Sequence, residues 1–76
     1  MRYNVRVKGR RTSATLNPSL IILLMETSEL SIQQLIDAEE KKGGSNGDLT
    51  TSAWIARLIV DEALQAVQSM KKQLNK

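Results

Sequence analysis

No cysteine, histidine or phenylalanine occurs among the 76 residues, and proline, tryptophan and tyrosine occur once each. Without cysteine there is no disulfide, and without cysteine or histidine the usual structural zinc sites are excluded. The same two absences remove the commonest thiol nucleophile and the commonest near-neutral base of enzymes. Long hydrophobic runs are also missing. The longest, Leu20 to Met25, has six residues, too few to span a bilayer or form a signal-peptide core. A cytoplasmic protein with no membrane partner is expected. The glycine-rich stretch Gly43 to Gly47 is not followed by the Lys-Ser/Thr pair of a phosphate-binding loop. Asp37, Glu39 and Glu40 lie beside Lys41 and Lys42, the pattern of a solvated helix face, and the adjacent Asp61 and Glu62 point in different directions on a helix. The expectation is therefore no enzymatic activity, no catalytic residues, no cofactor and no metal site.

What is present makes one small domain. Apolar residues make up 41% of the chain, enough for a core and too many for global disorder. A domain of this size buries only about 60% of the surface its unfolded chain exposes, and with disulfides and zinc excluded, oligomerisation is the staple left. Charge is unevenly placed. The net charge is +3, from eleven Lys and Arg against eight Asp and Glu. Residues 1–11 hold Arg2, Arg6, Lys8, Arg10 and Arg11 without an acid, which is +5; the rest, with six bases and eight acids, is −2. A basic segment on a mildly acidic body suits a polyanion, and phosphate neutralisation is the largest non-specific term in nucleic-acid affinity.

Periodicity places the elements. Tyr3, Val5 and Val7 alternate with Arg2, Asn4, Arg6 and Lys8, the period of a half-buried strand or of an arm that orders on binding. Gly9 interrupts the pattern, and from Arg10 to Leu16 a second alternation sets Thr12, Ala14 and Leu16 against Arg11, Ser13 and Thr15. No strong turn signal joins the two stretches. One strand cannot satisfy its backbone alone, so Arg10 to Leu16 is expected to pair with its own copy in a second chain. Asn17-Pro18 then caps and opens a helix that runs at least to Met25. Two continuations stay open: one helix to Lys42, or a break after which Ser31 caps a shorter helix. Gly43-Gly44 end it, and residues 43–48 are the clearest loop. A last helix is expected from about Thr50–Ser52 to Leu74, with Ala56, Val60, Ala63, Val67, Met70 and Leu74 as its apolar stripe. Arg57, Asp61, Gln65, Gln68 and Lys72 make its wet face, and Lys71, Lys72 and Lys76 suit its C-terminal end.

The stretch Arg10-Arg11-Thr12-Ser13-Ala14-Thr15-Leu16-Asn17-Pro18 resembles the opening of the ribbon-helix-helix family of DNA-binding proteins. Leu49-Thr50-Thr51-Ser52-Ala53-Trp54-Ile55-Ala56-Arg57-Leu58-Ile59 resembles the start of that family's second helix. The resemblance implies a mainly α fold with one short β-strand, as an intertwined homodimer whose two strands form an intermolecular antiparallel ribbon. Residues 1–9 read as a basic N-terminal arm. Residues 10–76 read as the dimerisation and DNA-binding domain, with an extended first helix or an inserted helical segment over Pro18–Lys42. A second register, with Leu30-Ser31-Ile32 opening the second helix and Ala53 to Leu74 as an added third, also fits.

The resemblance further implies that Arg11, Ser13 and Thr15 meet base edges and that amides around Thr50, Thr51 and Ser52 hold a DNA phosphate. Physical chemistry supports both roles: a two-stranded ribbon fits the major groove, an arginine can bond guanine bidentately, and a helix N-terminus favours anions. Arg2, Arg6, Lys8 and Arg10 read as further backbone contacts. Leu16, Leu20, Leu24, Trp54, Ile55, Leu58 and Ile59 read as dimer core. The expected function is sequence-specific binding of double-stranded DNA as a homodimeric transcriptional repressor, a plasmid or phage regulator acting by occupancy. The partners would be double-stranded DNA, a second copy, higher-order copies on DNA, and a possible second protein. The alternative is a helical interaction or scaffold module, antitoxin-like toxin binding included, whose basic arm contacts RNA, a membrane or an acidic partner.

Overall fold

The computed structural model describes residues 2–74, with the side chains of residues 72–74 left aside. Five elements follow in order: β1 (Arg2–Val7), β2 (Arg10–Thr15), α1 (Pro18–Thr27), α2 (Ile32–Lys41) and α3 (Thr51–Leu74). The two alternating stretches of the basic segment pair with each other. β1 and β2 are antiparallel, in register from Arg2 opposite Thr15 to Val7 opposite Arg10. Lys8 and Gly9 make the two-residue turn, both with positive φ (54° and 77°), the arrangement whose twist matches that of the flanking strands.

This corrects the expectation that Arg10 to Leu16 lacks a neighbour in its own chain. The fold is mainly α, but with a two-stranded hairpin in place of one short strand. A second copy is therefore not required to complete β2. The sequence carries no strong signal for this turn, because lysine seldom adopts the left-handed conformation that asparagine or glycine takes readily. The two faces are as expected. Val5, Ala14 and Leu16 are buried, with Tyr3, Val7 and Thr12 half-buried beside them, while Arg2, Asn4, Arg6, Arg11 and Thr15 are exposed on the other side.

Helix α1 begins as its sequence dictates. The Asn17 side chain accepts from the Ser19 amide at 2.9 Å, and Pro18 stands at the first helical position, where a missing N–H costs nothing. Of the two continuations, the break is observed. Ser31 starts α2 with a reciprocal box: its hydroxyl accepts from the Gln34 amide (3.2 Å), and its amide donates to Gln34 Oε1 (2.7 Å). Helices α1 and α2 are bent 74° from one another. Replacing Ser31 by alanine removes one half of this box and is expected to lower stability by roughly 1 kcal/mol, measurable as a lower denaturant midpoint at unchanged m-value. Thr50 caps α3, its hydroxyl accepting from the Ala53 amide at 3.2 Å.

Helix α3 is the spine. It packs against β2, α1 and α2, while α2 also lies along β1. The core gathers Val5, Ala14, Leu16, Leu24, Leu35, Ile36, Trp54, Ile55 and Ile59, with Leu20, Ile21, Ile32 and Leu58 packed against it. The residues expected as dimer core thus form the core of a single chain: Leu16, Leu24, Trp54, Ile55 and Ile59 are buried in it, and Leu20 and Leu58 line it. The expected apolar stripe of α3 is buried only in part. Trp54, Ile55, Ile59 and Ala63 are buried, whereas Val60, Val67 and Met70 are exposed. Arg57, Asp61, Gln65 and Gln68 are exposed as expected. The Lys72 and Leu74 side chains and all of Lys76 lie outside the described residues.

Candidate nucleic-acid interface

The outward face of the hairpin follows from strand alternation. Arg2, Asn4 and Arg6 of β1 share it with Arg11, Ser13 and Thr15 of β2. None of the six is acidic. Arg6 stands directly opposite Arg11. Their backbones show which kind of pair this is: the Arg6 amide and carbonyl turn away from β2 to meet the Gln33 carboxamide, the amide donating to Oε1 at 2.8 Å and Nε2 donating to the carbonyl at 3.0 Å. Arg6 and Arg11 thus form a non-hydrogen-bonded pair, the type whose Cα atoms approach to about 4.5 Å. Like charges directly opposite destabilise a sheet. An anion placed over the pair would remove that cost. Next along the face, the Arg2 guanidinium donates to Ser13 Oγ at 3.3 Å, so one exposed cation is held over the hydroxyl at the centre of β2.

The other expected contacts sit around this face. Lys8 is in the turn, exposed, at the far tip of the hairpin. Arg10 is exposed at the same tip, but alternation puts it on the opposite face, with Thr12 and Ala14. Thr50, Thr51 and Ser52 lie at the other end of β2. Ser52 Oγ accepts from the Thr15 amide at 2.9 Å, which ties the first turn of α3 to the last residue of the strand. The structure therefore brings the start of α3 beside the Thr15 end of the hairpin.

Helix α2 supplies what the sequence reading missed. Gln33, Asp37 and Glu40, at helical spacing, face the edge of β1. Asp37 Oδ1 accepts from Gln33 Nε2 at 3.0 Å, and Glu40 Oε2 accepts from the Lys8 amide at 2.8 Å. Between them and the hairpin is an open cleft of about 680 Å³, lined by Asn4, Arg6, Gly9 and Arg11 on one side and by Gln33, Asp37 and Glu40 on the other. The polar, helically spaced pattern of these three residues was visible in the sequence, but it does not say what they face.

Comparison with known proteins adds nothing to this geometry. No protein-family model, curated protein or solved structure matches the chain. The exposed cations at Arg2, Arg6, Lys8 and Arg10 are compatible with contact to nucleic acid or another polyanion. Among the described residues there is no group of three or more Asp, Glu, His or Cys placed to hold a metal ion, and no single helix is long and apolar enough to cross a membrane.

Proposed function

We propose that this chain binds double-stranded DNA through the outward face of its hairpin, as a homodimeric, sequence-specific repressor of the ribbon-helix-helix kind that acts by occupying its site. The observation that carries the reading is the acid-free outward row, with Arg6 and Arg11 facing each other across it. A polyanion relieves that repulsion, and in a dimer the two central β2 strands, about 4.8 Å apart, fit within a major groove about 12 Å wide, with the β1 strands flanking them above the phosphates. The order of elements, a basic ribbon followed by capped helices, is consistent with the same reading.

In the dimer, the two β2 strands lie together at the floor of the groove. Arg11, Ser13 and Thr15 then reach base edges, and each β1 strand, carrying Arg2 and Arg6, lies toward a phosphate wall. The start of α3, at Thr50 to Ser52, offers unpaired amides to a flanking phosphate. Because β2 is paired within its own chain, the ribbon needs a second chain only to double and not to form.

Anisotropy of a labelled random duplex, titrated across a salt series, tests the reading. Log affinity is expected to fall linearly with log salt, and replacing Arg2 and Arg6 together by alanine should reduce the slope by about 2, close to one per lost phosphate contact. Selection from a random duplex pool should then yield a two-fold symmetric site. Indifference to duplex DNA at low salt overturns the proposal.

A second reading draws on a different observation. Ile22 and Met25 of α1 and Leu64, Val67 and Met70 of α3 are exposed, an amount of apolar surface that suits a protein-interaction module. Retention of a protein or RNA partner by a chain that ignores duplex DNA would favour it.

A further inference from the structure

A hairpin has two edges, and each is a row of backbone groups ready to pair with another strand. In this chain the two edges are treated differently. Along β1 the outward groups nearest the turn are taken, while among the described residues nothing bonds the outward amide and carbonyl of Asn4. The Gln33 carboxamide meets both the amide and the carbonyl of Arg6, as a neighbouring strand would, and the Glu40 carboxylate takes the Lys8 amide one step further on. Asp37 holds Gln33 in place from the next helical turn. Along β2 the alternation that turns Arg6 outward also turns out its opposite number Arg11, and with it Ser13 and Thr15. The Thr15 amide is bonded to Ser52. Among the described residues, nothing bonds the outward amides and carbonyls of Arg11 and Ser13.

We infer that α2 is an edge guard: Gln33 and Glu40 close the half of the β1 edge next to the turn, so that a full strand pairing between copies uses β2 and stops at two chains. This rests on the preceding reading for the dimer and its β2 edge, and adds the register in which it forms and what limits it. An antiparallel strand is its own complement under a two-fold axis. An axis through Thr12 sets Arg11 opposite Ser13 of the second copy on both sides, which satisfies the free groups of both residues and leaves Thr15 with Ser52. It also places each Arg11 beside a serine and not beside the other Arg11, an arrangement that like charge favours. With both edges open, β1-to-β1 and β2-to-β2 contacts would alternate without closure, the condition for an open-ended assembly. Helix α2 interposes an amide where that second contact would form.

Sedimentation of the full chain over a concentration series tests this, with four proteins. The wild type is expected to reach twice the monomer mass and no more. Ser13→Pro, which removes an outward N–H of β2 without touching the hairpin ladder, should stay monomeric. Gln33→Ala with Glu40→Ala should exceed the dimer mass as concentration rises. Adding Arg6→Pro to that pair removes the β1 donor that Gln33 had covered and bars a full strand pairing along β1, and should restore the dimer. A wild-type dimer whose Gln33→Ala/Glu40→Ala variant is also only a dimer overturns the guard and leaves the dimer standing. A monomeric wild type overturns the dimer itself.

Amide hydrogen exchange on the wild type gives a reading that needs no variant to fold. The Arg6 and Lys8 amides should be protected at every concentration, and those of Arg11 and Ser13 only where the dimer is populated. Arg6 protection that rises with concentration in step with Arg11 contradicts the guard.

Discussion

Ile55→Ala is expected to remove about 2–5 kcal/mol of stability, the range for deleting a large aliphatic side chain from a packed core. Ile55 is 0% exposed and sits in the cluster where α3 meets the hairpin, α1 and α2. A domain of this length is held by roughly 4–11 kcal/mol in all, so the variant should unfold at a much lower denaturant concentration and be partly unfolded at 37 °C. The informative control is the same substitution at Ile22, a residue of α1 that is 59% exposed. Its cost should be within about 0.5 kcal/mol. If Ile22→Ala costs as much as Ile55→Ala, the outer face of α1 is covered in solution, and the exposed apolar residues of α1 and α3 belong to an interface.

Arg11→Ala should act on binding and not on folding. A bidentate arginine–guanine contact contributes roughly 1–3 kcal/mol of discrimination, so preference for a selected site over random duplex should fall by about 5- to 150-fold per contact. The unfolding free energy should hold or rise by roughly a few tenths of a kcal/mol, because the substitution removes one of two like charges placed directly opposite each other. Thr15→Ala should weaken the same preference to a smaller degree. Preference unchanged in the Arg11 variant would remove that residue from base reading and leave it as one more phosphate contact. Competition anisotropy with specific and random fragments separates the two outcomes, since a phosphate contact lowers both affinities alike.

Much of this architecture is written in short-range chemistry. Asn17-Pro18 and Ser31 with Gln34 mark helix starts with the side chains that such ends require, Gly43 ends α2 with the positive φ that glycine readily adopts, and each end lies where those residues put it. The strand β2 and the two faces of both stretches follow from alternation, whereas alternation alone fits Tyr3 to Val7 equally to a strand or to an arm. The pairing did not follow, because it turned on one residue, Lys8, adopting a backbone conformation that lysine seldom takes. Between one helix and two over residues 18–42 the sequence left the choice open, since a polar Ser28 fits either an exposed helical position or a break. Burial of Trp54, Ile55, Ile59 and Ala63 on α3 is legible in the sequence, but the exposure of Val60, Val67 and Met70 is not, because valine and methionine look alike to periodicity whether they meet a core or solvent.

For the site, the outward row Arg11, Ser13 and Thr15 was legible from alternation alone, and so was the excess of cations around it. What was not legible is the contribution of β1, which adds Arg2, Asn4 and Arg6 to the same face. The role of α2 was equally hidden. Gln33 bonds a backbone 27 positions away, and no local pattern announces a side chain that stands in for a strand.

Amide chemical-shift mapping of the full chain against a saturating duplex at low salt bears most directly on whether this hairpin grips DNA. The largest changes are expected at Arg2 to Arg6, at Arg11 to Thr15 and at the first turn of α3, with α2 and the exposed side of α1 little affected. Changes confined to α1 and the second half of α3, or none at all, would contradict it.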